Sequence, residues 1–348
     1  MKIKSIETEV KSIPLKTPFV TALRRVEAVE FVRVKVVCQN KSFAYGEAPA
    51  TKAITNEGIE DILTSMESIK ELLQGKHPQE ALQLLHEQQK IGSSAKAALD
   101  MAFVSLLAQE FGEPLYKFLG GKAPIELQTD ITISLGTLDT MLRDAKGAYE
   151  SGLNILKIKV GSDIKHAIAV ILELAFELPK VKILVDANQA WSLEESLFFI
   201  NAVQGVKIEL IEQPVIAHDL ASLKKITRES ATAILADEAV FTLEDVARVH
   251  EGRYADMINI KLMKCGGISK AVEILEYARA HGIRCMLGSM LEGPLSINAA
   301  LHLAIAFHDV IAYIDLDSPL LYKESSKELE FLYVGSKIVF IEKKKAKI

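Results

Sequence analysis

Five short apolar runs in the middle of the chain each end on a lysine or a carboxylate. Leu-Lys-Ile-Lys ends at Lys159, Ile-Leu-Val-Asp at Asp186, Glu-Leu-Ile-Glu at Glu212, Ile-Leu-Ala-Asp at Asp237 and Ile-Asn-Ile-Lys at Lys261. The steps between these ends are 27, 26, 25 and 24 residues, the length of one strand plus one helix. A step of 27 backward reaches Thr132 in Thr-Asp-Ile-Thr-Ile; steps of 27 forward reach Gly288 and then Asp315 in Tyr-Ile-Asp-Leu-Asp. Eight strand ends on one period predict a (β/α)8-type barrel, whose active site lies at the C-terminal ends of its strands.

The 348 residues, 49% hydrophobic and 25% charged, suffice for a barrel and one smaller domain. The formal net charge of −5 argues against a nucleic-acid or anionic-membrane partner and favours a small molecule. Met1–Leu15 carries charges throughout and lacks a signal-peptide core, and no apolar run is long enough to span a bilayer; a soluble, cytoplasmic protein is expected. Cys38, Cys265 and Cys285 are odd in number and scattered, which fits reduced thiols rather than a disulfide framework or zinc site.

Residues 1–122 open strand-rich, with Ile3, Ile6 and Val10 and then Val26 to Val37, ending near a turn at Tyr45-Gly46-Glu47. Between these strands Pro14 and Pro18 predict a loop running to Arg25. Helical spacing follows over about Glu57–Gln89 and Ser93–Phe111, so this part reads as an α+β domain. Residues 123–318 are expected to form the barrel, with helices such as Asp139–Ser151 and Ile164–Leu178. Residues 319–348, with strand-like runs at Phe331–Tyr333 and Ile338–Ile341, are expected to return to the first domain; the basic end Lys343–Lys347 reads as a solvated tail. A homo-oligomer is the default for an enzyme of this kind.

Asp186, Glu212 and Asp237 come from three successive strand ends and converge on one rim. Each alone could cap a helix or sit in a solvated loop; together, hard oxygen donors in an open site suit Mg²⁺. Lys159 and Lys261 flank them on either side. A lysine must fall from about 10.4 to about 7–8 to act as a base at neutral pH. A dication and a second ammonium push that way, and Lys157, on the same strand face as Lys159, supplies the ammonium. Two exposed lysines are the alternative, but parallel barrel strands are covered on both faces. Two bases facing each other across a metal imply removal of a proton α to a carbonyl, a metal-stabilised enolate, and return of a proton on the other face: racemisation or epimerisation.

Lys157-Ile158-Lys159, Val185-Asp186-Ala187-Asn188, Ile211-Glu212-Gln213-Pro214, Ala236-Asp237-Glu238 and Ile260-Lys261 with Gly266-Gly267 together resemble the enolase superfamily, muconate-lactonizing subgroup. The resemblance covers nearly the whole chain and implies a modified (β/α)7β barrel with an α+β capping domain. It also implies Mg²⁺ on Asp186, Glu212 and Asp237, oriented by Asn188 and Glu238, and acid–base roles for Lys159 and Lys261.

Asp315-Leu316-Asp317 resembles the Asp-x-Asp of dipeptide epimerases, which holds the substrate's α-ammonium; an acidic loop before Ser318-Pro319 is the plain alternative. Arg24 matches the capping-loop arginine of the Ala-Glu epimerases, which faces the second residue's carboxylate, although Arg25 is adjacent. Thr132, Lys157, Ser289 and Met290 are expected to line the substrate site. Gly293 follows Glu292 where relatives often carry Ser or Thr, which bears on preference at the first residue.

The expected activity is Mg²⁺-dependent epimerisation of L-Ala-D/L-Glu at its second α-carbon, in recycling of murein peptides. The rivals are an N-succinylamino acid racemase, o-succinylbenzoate synthase or muconate cycloisomerase, a Schiff-base aldolase, and a non-catalytic peptide-binding barrel.

Overall fold

The computed structural model describes residues 1–341; the basic run Lys343–Lys347 lies outside them. The chain begins with an antiparallel sheet, β1 (Ile3–Val20), β2 (Arg25–Cys38) and β3 (Phe43–Pro49), in the order β1-β2-β3. Helices α1 (Lys52–Thr55), α2 (Ile59–Leu73), α3 (Pro78–Glu87), α4 (Ser93–Glu110) and α5 (Leu115–Phe118) follow. The helical pattern over Glu57–Gln89 is two helices because Pro78 starts a new one at its first position.

The proline-containing loop is a correction. Strand β1 runs through both Pro14 and Pro18 because it is the edge strand of its sheet, laddered to β2 with one further bridge from Leu15 to Tyr322, and the ladder slips between Pro14 and Phe19. The loop shrinks to the hairpin tip Thr21–Arg24. Tyr45-Gly46-Glu47 likewise lies inside β3, where a Cβ on Gly46 would meet the carbonyl oxygen of Ala98 on α4. That close approach, not a turn, is the reason for the glycine.

The barrel strands are β5 (Ile131–Ile133), β6 (Ile155–Lys159), β7 (Lys182–Asp186), β8 (Ile208–Glu212), β9 (Ala233–Ala236), β10 (Met257–Lys261), β11 (Arg284–Gly288) and β12 (Ile311–Asp315), after a short β4 (Leu127–Gln128). All are parallel and in chain order. The Asp130 N–H closes the ring onto Ile314 O at 3.1 Å. Helices α6 (Leu138–Glu150), α7 (Ile164–Glu177), α8 (Leu193–Ala202), α9 (Leu220–Glu229), α10 (Leu243–Gly252), α11 (Leu262–Cys265), α12 (Ile268–His281) and α13 (Pro294–Ala306) cross between strands. The eighth strand is followed only by the short α14 (Ser318–Leu321), so the barrel is (β/α)7β with an α+β cap.

Side chains alternate along a strand, and this builds the interior in layers. Ile155, Leu184, Leu210, Leu235, Met257 and Met286 form a buried apolar floor. Two residues further along each strand stand Lys157, Asp186, Glu212, Asp237, Asn259 and Gly288. The same alternation that seals the bottom of the barrel therefore stacks charge above it.

The cap is held to this rim by α4, which is buried nearly all round and packs on β3 on one side and on α11 and α12 on the other. After α14, Lys323 N–H donates to Pro14 O and Arg33 bridges Glu47 and Glu328, all contacts with the first sheet. The last two strands, β13 (Phe331–Val334) and β14 (Lys337–Phe340), form a hairpin that pairs with β4 instead. Cys38, Cys265 and Cys285 are unpaired and buried or half-buried. Among the described residues no helix is long and apolar enough to cross a membrane.

Candidate active site

Strand register brings the expected residues to one level. Thr132 pairs with Lys157, Lys159 with Asp186, Asp186 with Glu212, and Lys261 with Gly288, which pairs with Asp315. A Cβ at Gly288 would lie 2.7 Å from Asn259 Oδ1 and 3.0 Å from Lys261 Cε, so only glycine leaves this part of the interior to the lysine.

Above the strands, Phe19, Thr21, Leu23 and Arg24 of the first hairpin and Ala53 and Ile54 of the cap roof a cleft of about 560 Å³, its open mouth included. Its floor and walls are Thr132, Lys159, Asn188, Asp237, Lys261, Ser289, Met290, Leu291, Asp315 and Asp317. Lys157, Asp186, Glu212 and Glu238 lie beneath or beside it, outside the lining. Lys159 and Lys261 stand on β6 and β10, four strands apart in an eight-strand ring and therefore on opposite walls.

Asp186, Glu212, Asp237 and Asp315 each meet a lysine. Lys159 Nζ is 2.5 Å from Asp186 Oδ2 and 3.1 Å from Asn188 Oδ1. Lys157 Nζ is 2.6 Å from Asp315 Oδ2, 2.7 Å from Glu212 Oε2 and 3.1 Å from Asp186 Oδ2. Lys261 Nζ donates to Asp237 Oδ2 at 2.7 Å. Burial raises Asp186 and Asp237, but lysines Lys159 and Lys157 on the first and Lys261 and Lys264 on the second outweigh it, so both carboxyls lie well below the usual range. Glu212 is different: burial and then Asp186 push it up to about 8 against the pull of Lys157.

At Lys261 the carboxylates that a dication would offset decide the balance. Burial and Lys157 push its ammonium down, yet Asp237, Glu212 and Asp315 outweigh both and hold it above its ordinary value. The depressed lysine is Lys264, which burial lowers despite Asp237.

Lys264 escaped the strand-end ruler because it lies one helical turn past Lys261, in α11. It is buried, and donates to Asp237 Oδ1 and Asp237 O, both at 2.6 Å, and to Asn259 O at 2.9 Å. Its signal was the Lys-x-x-Lys spacing into Gly266-Gly267. Asn259 was also missed; its Nδ2 holds Glu212 Oε1 at 2.8 Å. Gln213, at φ +37°, accepts from the Asp237 and Ala239 N–H groups with Oε1 and so fixes the rim between two carboxylates.

Asn188 receives Lys159 and donates to Glu238 Oε1 at 3.2 Å, and its N–H donates to Asp186 Oδ1 at 3.0 Å. Burial, then Asp237 and Asp186, raise Glu238 to about 7. Glu212 Oε2 has no hydrogen bond despite the nearby ammonium, and Glu238 Oε2 has none. Buried oxygen atoms left over on carboxylates from adjacent strands are the donor chemistry that a hard dication takes. Of the three residues assigned to Mg²⁺, Glu212 keeps such an oxygen, while Asp186 and Asp237 stand beside it with their oxygens on lysines that a dication would displace.

Arg24 lines the cleft, whereas Arg25 is exposed and reaches Glu27 at 3.5 Å. Among the described residues no carboxylate pairs with Arg24, and burial pulls its guanidinium down from its ordinary value. Asp315 and Asp317 are 6% and 4% exposed. Asp317 Oδ2 accepts from the Thr132 N–H at 2.7 Å, and burial and Asp315 raise it to about 6. Ser289, in the lining, donates its hydroxyl to Asp315 O at 3.3 Å.

The Ser289–Leu291 wall is held from behind by Glu292. Its Oε1 accepts from the Met290 N–H at 2.9 Å and its Oε2 from Ser296 Oγ, while Tyr322 OH donates to its carbonyl. Burial raises this carboxyl to about 7 from an ordinary 4.5. A carboxyl raised in the folded state stabilises fully below its unfolded pKa, and that stability is lost as pH rises through the folded one. The shift contributes on the order of 3 kcal/mol. Thermal melts of Glu292→Gln should therefore lose part of the decline between pH 4.5 and 7; melts parallel to the parent's over this window would rule the linkage out.

Residues 5–120 match the family model described as the mandelate racemase / muconate lactonizing enzyme N-terminal domain, and residues 140–338 match that described as enolase C-terminal domain-like. The chain is 60% identical over 338 residues, 97% of it and 99% of the relative, to the L-amino acid-D/L-Glu epimerase of Sulfurimonas denitrificans. It is similar in structure to the substrate-liganded L-Ala-D/L-Glu epimerase of Bacillus subtilis, with a TM-score of 0.93, 42% identity, and coverage of 98% and 96% of the two chains. It is also similar to the dipeptide epimerase of Enterococcus faecalis V583 complexed with Mg and L-Leu-L-Tyr, with a TM-score of 0.91, 32% identity, and coverage of 98% and 97%. With both of its parts matched and its rim built as described, the chain belongs to the enolase superfamily, in the mandelate racemase and muconate lactonizing branch.

Proposed function

We propose that this protein is a dipeptide epimerase, an isomerase that inverts the α-carbon of the second residue of L-Ala-D/L-Glu and similar dipeptides. The observation that carries the reading is the cleft itself. Two lysines on opposite walls face a space with an acidic pair on one side and, in the roof, an arginine that no carboxylate meets among the described residues.

The Asp315–Asp317 pair takes the dipeptide's α-ammonium, and Arg24 takes the second residue's side-chain carboxylate with its planar fork. Held at both ends, the second α-carbon sits between Lys159 and Lys261. One lysine removes the α-proton and the other, still protonated, delivers one to the opposite face. Thr132, Lys157 and Ser289 act on this site through Asp317 and Asp315, and Met290 forms its apolar wall. Mg²⁺ on Asp186, Glu212 and Asp237 would supply positive charge against the carboxylate next to the reacting carbon. Lys264, Asn259, Asn188 and Glu238 hold those three side chains in place. A soluble homo-oligomer working in the cytoplasm on murein peptides completes the reading.

The test is deuterium uptake from D₂O into a set of L,L-dipeptides, with and without EDTA. Metal-dependent gain of one α-deuterium, greatest with acidic second residues, supports the assignment; no uptake with any dipeptide rejects it. Arg24→Ala should lower kcat/KM for Ala-Glu by about a hundredfold, the order lost when one partner of a desolvated charge pair is cut away. Dipeptides with an apolar second residue should lose far less, so equal losses for both would remove Arg24 from the recognition of glutamate.

A further inference from the structure

Asp130 precedes the first barrel strand at the seam where the ring closes, and its backbone is fixed by the bond to Ile314 O. Its side chain is fully buried, and neither carboxyl oxygen meets a donor. It meets other carboxylates: oxygens of Asp130, Asp315 and Asp317 all lie within 4.8 Å of one another. The cation facing this group is Lys157, which is already shared among Asp315, Glu212 and Asp186. Lys261 and Lys159 act on Asp315 from further off. Asp315 and Asp317 line the cleft; Asp130 lies behind them.

Three ionised carboxylates at such separations repel strongly in a buried site, and the usual resolution is that one keeps a proton. An ionised carboxylate is an acceptor only, so toward an ionised Asp315 the Asp130 carboxyl can bond only as an acid. Burial, then Asp315 and Asp317, push Asp130 far above the carboxylate range, while Lys157 and its companions outweigh burial at Asp315 and keep it below.

We propose that Asp130 is a positioning residue for the ammonium subsite: it carries a proton, donates it as a hydrogen bond to Asp315, and holds the subsite at two negative charges instead of three. This rests on reading Asp315 and Asp317 as the ammonium site. A neutral donor behind Asp315 fixes that carboxylate's orientation toward the cleft without a third charge that would draw in other cations.

The test uses the Mg²⁺-loaded protein with Ala-Glu. Asp130→Ala should raise KM about tenfold, the order of one buried hydrogen bond, with kcat moving less. Asp130→Asn keeps a donor and should recover most of that loss. In the infrared, wild type minus Asp130→Asn should show the carbonyl stretch of an un-ionised carboxylic acid at neutral pH. Absence of that band, or Asp130→Asn as weak as Asp130→Ala, overturns the proposal; the second result is what a triad of ionised cation ligands would give. If Asp130→Ala does not fold, the infrared band and the KM of Asp130→Asn still decide. Wild-type turnover of N-acetyl-Ala-Glu matching that of Ala-Glu would instead sink the ammonium reading, whatever the infrared band shows.

Discussion

Alanine at Lys159 or at Lys261 should abolish epimerisation, by about 10³-fold or more in kcat, while leaving α-hydrogen exchange with one epimer of the substrate intact. The two lysines reach the α-carbon from opposite walls, so each can attack the proton of only one configuration. A lone lysine can remove that proton and, after its ammonium exchanges with solvent, return deuterium to the same face. Inversion needs the other lysine. Exchange should therefore survive in Lys159→Ala for one epimer and in Lys261→Ala for the other.

The fold should tolerate both changes, because neither carboxylate partner is stranded. Asp186 keeps Lys157 at 3.1 Å, and Asp237 keeps Lys264 at 2.6 Å. Melting temperatures of the two variants, read beside their exchange rates, separate loss of a base from loss of structure. Exchange of both epimers in either variant would mean one lysine serves both faces.

Replacing Asp315 and Asp317 together by asparagine should lower kcat/KM for Ala-Glu by about 10³-fold, since two hydrogen bonds to a charged group contribute about 1.5–3 kcal/mol each. Asparagine preserves shape and keeps an acceptor for Lys157 and for the Thr132 N–H. What disappears is the charge opposite the dipeptide's amino terminus. N-acetyl-Ala-Glu, which has no ammonium, should accordingly be affected about as little by the double variant as by a surface change. A parallel fall with both substrates would make the pair a scaffold for Lys157 rather than a recognition element. These N-acylated substrates also separate a dipeptide epimerase from an N-succinylamino acid racemase, which needs no acidic pair for its substrate.

Much of the rim is legible in the sequence. Lys159, Asp186, Glu212, Asp237 and Lys261 end successive strands, and parallel strands in register must bring such ends to one level. Residues off the strand ends were harder. Lys264 lies in a helical turn, where a strand ruler does not reach, and Asn259 stands two positions before Lys261 in a run that reads simply as apolar strand. Asp130 was invisible for another reason: its neighbours Asp315 and Asp317 are far away along the chain and meet it only where the barrel closes.

The same division holds for the cap. Pro14 and Pro18 argue against a strand locally, and they were overruled because β1 is an edge whose irregular stretch needs no ladder donor. Whether Arg24 or Arg25 enters the cleft depends on how the Thr21–Arg24 tip hangs over the barrel.

The period of apolar runs by itself points to parallel strands alternating with helices, each run covered on both faces, and with them comes the placement of the strand-end charges at one end of the sheet. The ionisation of those charges, the partner of each lysine and the arginine that faces inward depend on distances between groups remote in the chain. Electrostatic energy in a buried site varies steeply with such distances, and they exist only once the barrel has closed and the cap has settled on it.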